Sequence, residues 1–438
     1  MNNRYATLLF ILLTTFTANA QWSTNNLPSG GRSFLAAATT GNYALFAGGI
    51  GMISIPPGVS DKFQLSTNTW SGGTLSTGRV KLAGAGNGKY AVFGGGANDW
   101  IFAVYDAVDI YNSTTNTWNT SQTLSAARYS LTGAAAGSKI LMAGGMDNNG
   151  TYFTTVDLFD TLNGAWTTAA LSTGRANLAS ASTTTHAFFA GGENGNGYSD
   201  VVDIYEAATG TWTTAQLSIA RANLGGTACG NKIYFAGGLT GSTVSKRVDI
   251  YDITTNTWSI DSLSIARQNV MVAAVGKYVL FAGGSDALGM TVYNNVDILD
   301  TLTGTWTTAT LTTARTYGAA TSIGNKAIFA GGAGSNGFAV ATAETYTVTN
   351  TGLFIPQEAE GLLVYPNPSN GTFHLNTSTL KGDITCSMFN LQGQLVYSKQ
   401  FTAGDQNITI GLSEINAGVY ILKIEDSQKI RVEKIQVD

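Results

Sequence analysis

Short apolar runs recur along the first three quarters of the chain, and each ends in a pair of glycines: "NYALFAGG" (42–49), "KYAVFGGG" (89–96), "KIYFAGG" (232–238) and "KYVLFAGG" (277–284). Runs this short, rich in aromatic and β-branched residues and bounded by turn formers, predict strands. A segment of small residues precedes each run, as in "SLTGAAAG" (130–137). An alternating run follows it, as in "VDIYD" (248–252), then a Thr/Asn/Gly turn and a segment opening on Trp. The unit is four short strands, with no helical period.

The unit repeats. Trp stands at 22, 70, 118, 166, 212, 258 and 306, in steps of 46 or 48. The glycine pairs begin at Gly48, Gly95, Gly144, Gly191, Gly237, Gly283 and Gly331. An acid lies nine residues before each of six tryptophans, and an aromatic follows that acid by two, except at Leu299. A fixed period of this length with four strands per unit predicts radial sheets around an axis. The small-residue segments are then the innermost strands, where seven chains crowd together. The tryptophans are expected to be buried anchors.

The Gly-Gly, Tyr and Trp spacing resembles kelch repeats, over about residues 21–352. The expected fold is all-β: a seven-bladed kelch-like β-propeller followed by a small C-terminal β-sandwich. Trp22 has no Gly-Gly run before it, and the last unit has Tyr346 but Leu353 where a Trp is due. The segment around Trp22 is therefore expected to supply the outer strand of blade seven.

Seven arginines occupy one place in the unit, nine or ten residues after each Trp: Arg32, Arg79, Arg128, Arg175, Arg221, Arg267 and Arg315. The acids Asp61, Asp109, Asp157, Asp203, Asp249, Asp297 and Glu344 occupy another. In an up-and-down blade the Arg opens strand one and the acid opens strand three, so both lie toward one face. Charges matched in number suggest a structural ring of pairs. Arg128 and Arg175 are taken as tentative ligand contacts, because some kelch propellers use the Arg at this place to touch a partner.

Function on a repeat scaffold is expected where the units differ. The loops after the glycine pairs vary most and run to the face of the arginines. They carry Trp100, the one Trp out of register, with Phe102, Tyr105, Tyr152, Phe153, Tyr198, Tyr293 and Phe338. Aromatics beside Asn and Asp suit glycan stacking or a protein contact; the competing reading packs them down as blade caps.

Composition narrows the chemistry. Charged residues are 11 %, and the net charge is −4 with no basic run, so nucleic acid is not an expected partner. The two histidines, His186 and His374, and two cysteines, Cys229 and Cys386, form no HExxH, CxxC or Ser-His-Asp arrangement. A copper-oxidase site lacks its histidines. "DNNG" and "SDALG" do not match a calcium loop. No cofactor and no metal are expected. The alternative to a binding protein is a carbohydrate-active enzyme similar to sugar mutarotases or epimerases, for which Glu193 is the eligible loop acid.

Both ends point outward. "MNNRYATLLFILLTTFTANA" has one early cation, an apolar run and a small-residue site, and is expected to be a signal peptide (1–20). No later apolar run is long enough to cross a bilayer as a helix. After an expected linker (353–360), residues 361–438 change pattern. "YPNPSNG" (365–371), "NLQGQLV" (390–396), "GVYILKI" (418–424) and the final "KIQVD" resemble the C-terminal sorting domain of type IX secretion substrates. That resemblance implies contact with the type IX machinery and a secreted or outer-membrane surface location. The expected role is a binding or adhesion protein whose loop face takes a glycan or a surface protein.

Overall fold

The computed structural model describes residues 21–51, 57–348, 364–376, 383–390, 395–402, 407–412, 417–426 and 430–437. The expected signal peptide and linker lie outside the described residues. Two compact units divide the chain near residue 350. Every regular element among the described residues is a strand.

The first unit consists of seven four-stranded antiparallel sheets, plus three two-stranded hairpins in loops. Blade one runs Ala36–Thr40, Tyr43–Ala47, Val59–Gln64, Thr69–Thr74 from first to last strand. The first strand of each sheet touches the first strand of the next, and that of the seventh touches that of the first, so the seven sheets close a ring.

Each strand has a physical role. On the first strands of blades one, two, four and six alternate residues are buried. A Cβ on Gly84 would lie 2.7 Å from the carbonyl oxygen of Ala37 in blade one, and one on Gly133 2.8 Å from that of Gly84. Bulk at the axis is therefore excluded by backbone. The second strands hold the core stripe: Phe46, Phe93, Met142, Phe189, Phe235, Phe281 and Phe329 are wholly buried.

The fourth strands explain the aromatic two residues after each acid. It is the cross-strand partner of the Trp: Phe63 faces Trp70, Tyr111 faces Trp118, and Tyr205 faces Trp212. Their ring centroids lie 5.2–5.3 Å apart. Such a pair contributes about 0.5–1.5 kcal/mol beyond area burial. The expectation of buried tryptophans needs correction. All seven are half-buried, because the fourth strand is the sheet edge and leaves part of each indole to solvent.

The seventh sheet is discontinuous in sequence. Gln21–Asn26 pairs antiparallel with Thr342–Thr347, and Trp22 faces Tyr346 with centroids 5.1 Å apart. The first strand of the unit is thus the outer strand of the last sheet, and it covers an edge that would otherwise offer unpaired backbone groups.

The C-terminal unit has a three-stranded sheet (Val364–Tyr365, Thr372–Asn376, Asn407–Gly411) and a four-stranded one. The latter comprises Ile384–Asn390, Leu395–Phe401, Gly418–Glu425 and Ile430–Val437. Phe373, Leu375 and Ile410 of one sheet share a core with Cys386, Met388, Leu422 and Ile435 of the other, which is a sandwich. "YPNPSNG" meets the C-terminal strand: the Ser369 amide donates to the Gln436 carbonyl (2.8 Å), and the Gln436 amide to Asn367 Oδ1 (2.9 Å).

Candidate functional site

Strands one and three begin at one face of the propeller, and the loops after the glycine pairs emerge there. Just beneath that face lies a lattice that repeats seven times. Arg79 Nη2 donates to Asp109 (2.7 Å), Arg175 to Asp203 (2.6 Å) and Arg267 to Asp297 (2.8 Å). The same contact joins Arg32 to Asp61, Arg128 to Asp157, Arg221 to Asp249 and Arg315 to Glu344. All fourteen side chains are buried. The second carboxylate oxygen accepts the amide three residues before the arginine. In blade two this is Ser76 to Asp109, at 2.8 Å.

The glycine pairs complete the lattice. The second glycine donates its amide to the carbonyl of the next blade's arginine, at 2.8–3.0 Å in all seven cases. The first adopts φ of 63–68°. A Cβ there would strike that same carbonyl, 2.6 Å away at Gly48. Only glycine permits this approach.

Arg128 and Arg175 are therefore corrected from ligand contacts to lattice members. Arg128 donates to the carbonyls of Ala126 (3.0 Å), Met142 (3.1 Å) and Gly144 (2.8 Å) as well as to Asp157. Arg175 does the same with Thr173, Phe189, Gly191 and Asp203. Every guanidinium nitrogen of both already donates within the lattice. Burial lowers the basicity of Arg128 and Arg175, and the facing carboxylate opposes that shift.

Two residues beyond each arginine comes a feature that the side-chain pattern did not reveal. Phe34, Lys81, Ser130, Asn177, Asn223, Asn269 and Tyr317 all have left-handed backbone, with φ of 53–59°. In six of the seven the amide donates to the carbonyl of the preceding one: Lys81 to Phe34, Ser130 to Lys81, Asn177 to Ser130, Asn223 to Asn177, Asn269 to Asn223 and Phe34 to Tyr317, at 2.8–3.1 Å. These seven residues ring the mouth of the axis. Every one is half-buried. Phe34 and Tyr317 stack at 4.2 Å, and Lys81 pairs with Asp99 (2.9 Å). The far side of the ring is amides. The one signal in the sequence was Asn, which tolerates this conformation, recurring three times in that place.

Around the ring stand the loop aromatics, which fall into two groups. Trp100 (60 % exposed), Phe102 (82 %) and Phe338 (49 %) project into solvent. Tyr105, Tyr152, Phe153, Tyr198 and Tyr293 are half-buried. Tyr105 and Tyr293 bridge backbones, taking the amide of the next arginine on their carbonyls while donating to the second glycine of their own blade. The Phe153 ring lies 6.0 Å from the guanidinium carbon of Arg128. These cap the blades. Sequence reasoning missed Ile101, Leu288 and Met290, which are as exposed as the aromatics and lie in the same loops.

The other chemical candidates are occupied. Glu193 accepts from Asn177 Nδ2 (2.7 Å). Asp147 and Asp286 accept loop amides, the usual use of Asp in a turn. His186 sits at the opposite end of its blade, beside Thr185 Oγ1 (2.8 Å). Cys229 Sγ faces the Gly276 carbonyl at 3.4 Å. Among the described residues, no three His, Cys, Asp or Glu side chains converge as a metal site. No helix there is long and apolar enough to cross a membrane.

The ring of four-stranded sheets defines the class: a β-propeller with a separate C-terminal sandwich. Residues 220–260 match the family model of the Kelch motif, and residues 363–438 match that of the Secretion system C-terminal sorting domain. The ring of sheets with its one kelch-motif match fits a kelch-like propeller, and the C-terminal sandwich carries the match to the sorting domain of type IX secretion. The chain is secreted or held at the cell surface, and its sorting domain engages the type IX machinery. No curated protein sequence matches the chain.

Proposed function

We propose that the propeller is an extracellular binding module whose Gly-Gly loop face engages a glycan or a surface protein. One observation carries this reading. Among the described residues of the propeller nine large hydrophobic side chains are exposed, and six of them lie on this face: Trp100, Ile101, Phe102, Leu288, Met290 and Phe338. Exposed apolar side chains concentrated on one side, rather than scattered singly, favour an interaction surface. The kelch and sorting domains likewise point to a binding protein rather than an enzyme.

The lattice beneath explains how such loops are kept in place. Each is anchored by its glycine pair to the next blade, so variable side chains stand on an invariant base. The test is binding of labelled full chain to glycan and surface-protein arrays. A Trp100→Ala/Phe102→Ser/Leu288→Ser variant is expected to lose at least tenfold in affinity with an unchanged melting temperature. Unchanged binding by that variant would reject the loop face.

A further inference from the structure

We infer that the outer wall between blades two and three carries a second binding site, a cleft that takes one neutral pyranose residue of a glycan. A cavity of about 270 Å³ opens there, toward the face opposite the Gly-Gly loops. Its floor is apolar: buried Ile110 and Phe159, with half-buried Tyr90, whose ring stands edge-on to Phe159 at 5.6 Å. Its rim is polar and open to solvent. Thr117, Asn119 and Gly164 are exposed, and Asn112 and Gln122 are half-buried.

Two departures from the repeat shape the cleft. At the seam of blades one and two the corresponding space is filled, because Lys62 Nζ reaches Tyr111 Oη (3.2 Å) and Asn116 Oδ1 (2.6 Å). One seam on, these three places hold Ile110, Phe159 and Gly164, which offer no polar side-chain atom to close it. A Cβ on Gly164 would meet nothing within 4 Å. The second departure is a bulge. Leu follows Trp by six residues in blade two (118 to 124) but by five elsewhere (70 to 75, 166 to 171, 212 to 217, 258 to 263, 306 to 311). The ladder shifts between Val108 and Ile110, so Asp109 faces both Thr120 and Ser121. Bulges re-aim side chains, often beside a site.

The bulge leaves Gln122 two residues before Leu124, the place of Ala169, Ala215 and Ala309 and of Asp261. Asp261 is spent on Trp306 Nε1 (2.8 Å). The Gln122 amide has no partner among the described residues, and neither has the Nδ2 group of Asn112 or Asn119, whose Oδ1 atoms accept loop amides. The ligand class follows. Three carboxamides offer donors and an acceptor above an apolar floor, and no lining residue is charged. A sugar hydroxyl both donates and accepts, and the C–H face of a pyranose covers such a floor. Drug-sized ligands occupy about 300–1,000 Å³, so this volume suits a single ring. Lys89, which lies over the Tyr90 ring (4.9 Å), is not part of the lining. The cleft is separate from the loop face, and neither reading needs the other.

The probes are D-galactose, D-glucose, D-mannose and N-acetyl-D-glucosamine, titrated to millimolar concentration into the full chain and followed by saturation-transfer NMR. D-glucuronate and a neutral pentapeptide stand for other ligand classes. Two variants use residues that the repeat already holds at these places. Gln122→Ala installs the Ala of blades three, four and six. Gly164→Asn installs the Asn of blades one, two and five on a φ of 76°, which Asn tolerates, and fills the open space. Melting temperature verifies both folds; should one melt below the parent, the other decides. At least one neutral sugar is expected to bind, and at least about fivefold more weakly to each variant. The Trp100→Ala/Phe102→Ser/Leu288→Ser variant is expected to bind it as the parent does. The inference is overturned if no neutral sugar binds, if a folded cleft variant binds like the parent, or if only the glucuronate or the peptide depends on Gln122 and Gly164. A sugar lost with the triple variant and kept by both cleft variants sits on the loop face; the cleft then falls and the binding-module reading stands.

Discussion

Arg128 Nη2 lies 2.6 Å from Asp157 Oδ2, and neither side chain meets solvent to any useful extent. The pair joins the start of strand one to the start of strand three, and the second carboxylate oxygen holds the connector from blade two through the Ser125 amide (3.0 Å). Removing the carboxylate alone leaves a buried cation without its counter-charge, a loss of about 3–5 kcal/mol. Asp157→Ala is expected to fall in that range by chemical denaturation. An Arg128→Met/Asp157→Leu double variant should lose less than Asp157→Ala alone. If the double variant were the less stable, the lattice would owe more to the bonds that Arg128 gives the carbonyls of Ala126, Met142 and Gly144 than to its charge pairing.

The closing strand is a second point of test. Trp22 packs on Tyr346 and Phe329, with one side left to solvent. Trp22→Ala is expected to cost about 2 kcal/mol, under the roughly 3–5 of a fully buried aromatic. Deleting residues 21–30 also removes the Ser29 amide from Asp61 and strips the Thr342–Thr347 edge. That form should melt well below the parent and associate through the bared edge. An unchanged melting temperature and a monomeric state would contradict this role for the strand.

At the seam of blades six and seven Gly318 stands where the other blades have Leu or Val, and Met271 takes the space, an exchange that can be measured as a coupling. Gly318→Leu meets Met271 and overpacks, for a loss of about 1–3 kcal/mol. Met271→Ala opens a cavity at a loss of about 2–5 kcal/mol. Combined, they restore the pattern of the other blades, so the double variant should be more stable than the sum of the singles by at least about 1 kcal/mol. Additive losses would mean that the two residues do not share one space.

One loop on the Gly-Gly face carries its own pH dependence. A hydroxyl bond from Thr291, with amide bonds from Thr291, Met290 and Leu288, holds the Asp286 carboxyl below its ordinary range. A depressed carboxyl favours the ordered loop above its unfolded pKa, and the contribution is lost as pH falls through the folded value. The Met290 methyl resonance should stay that of an ordered loop from neutral pH down to about 4 and change only below it. Asp286→Ala should give the low-pH spectrum at pH 7; a parental spectrum for that variant would refute the anchoring.

Much of the architecture was legible because its causes repeat. Trp and its cross-strand aromatic, the glycine pair against the next blade's arginine, and the arginine against its acid each impose one residue type at one place. The period exposes them together. The axial ring was not legible, because what unites Phe34, Lys81, Ser130, Asn177, Asn223, Asn269 and Tyr317 is a backbone conformation, and beyond the three Asn their side chains share no chemistry. The loops hid their state for another reason. Tyr105 and Tyr293 pack down while Trp100 and Phe102 stand out, and no periodicity within a loop distinguishes them. Arginine repeated at a strand start indicated charge near a face, but whether it is spent on neighbours depends on carbonyls that composition does not show.

The central claim is that this propeller binds at its loop face and does not transform what it binds. The most direct measurement incubates full chain with each glycan that it retains on an array, then recovers and analyses that glycan. The account predicts saturable binding that weakens in the Trp100→Ala/Phe102→Ser/Leu288→Ser variant, with the glycan recovered unchanged in anomeric configuration and linkage. A glycan epimerised, oxidised or cleaved at a rate proportional to protein concentration would contradict it.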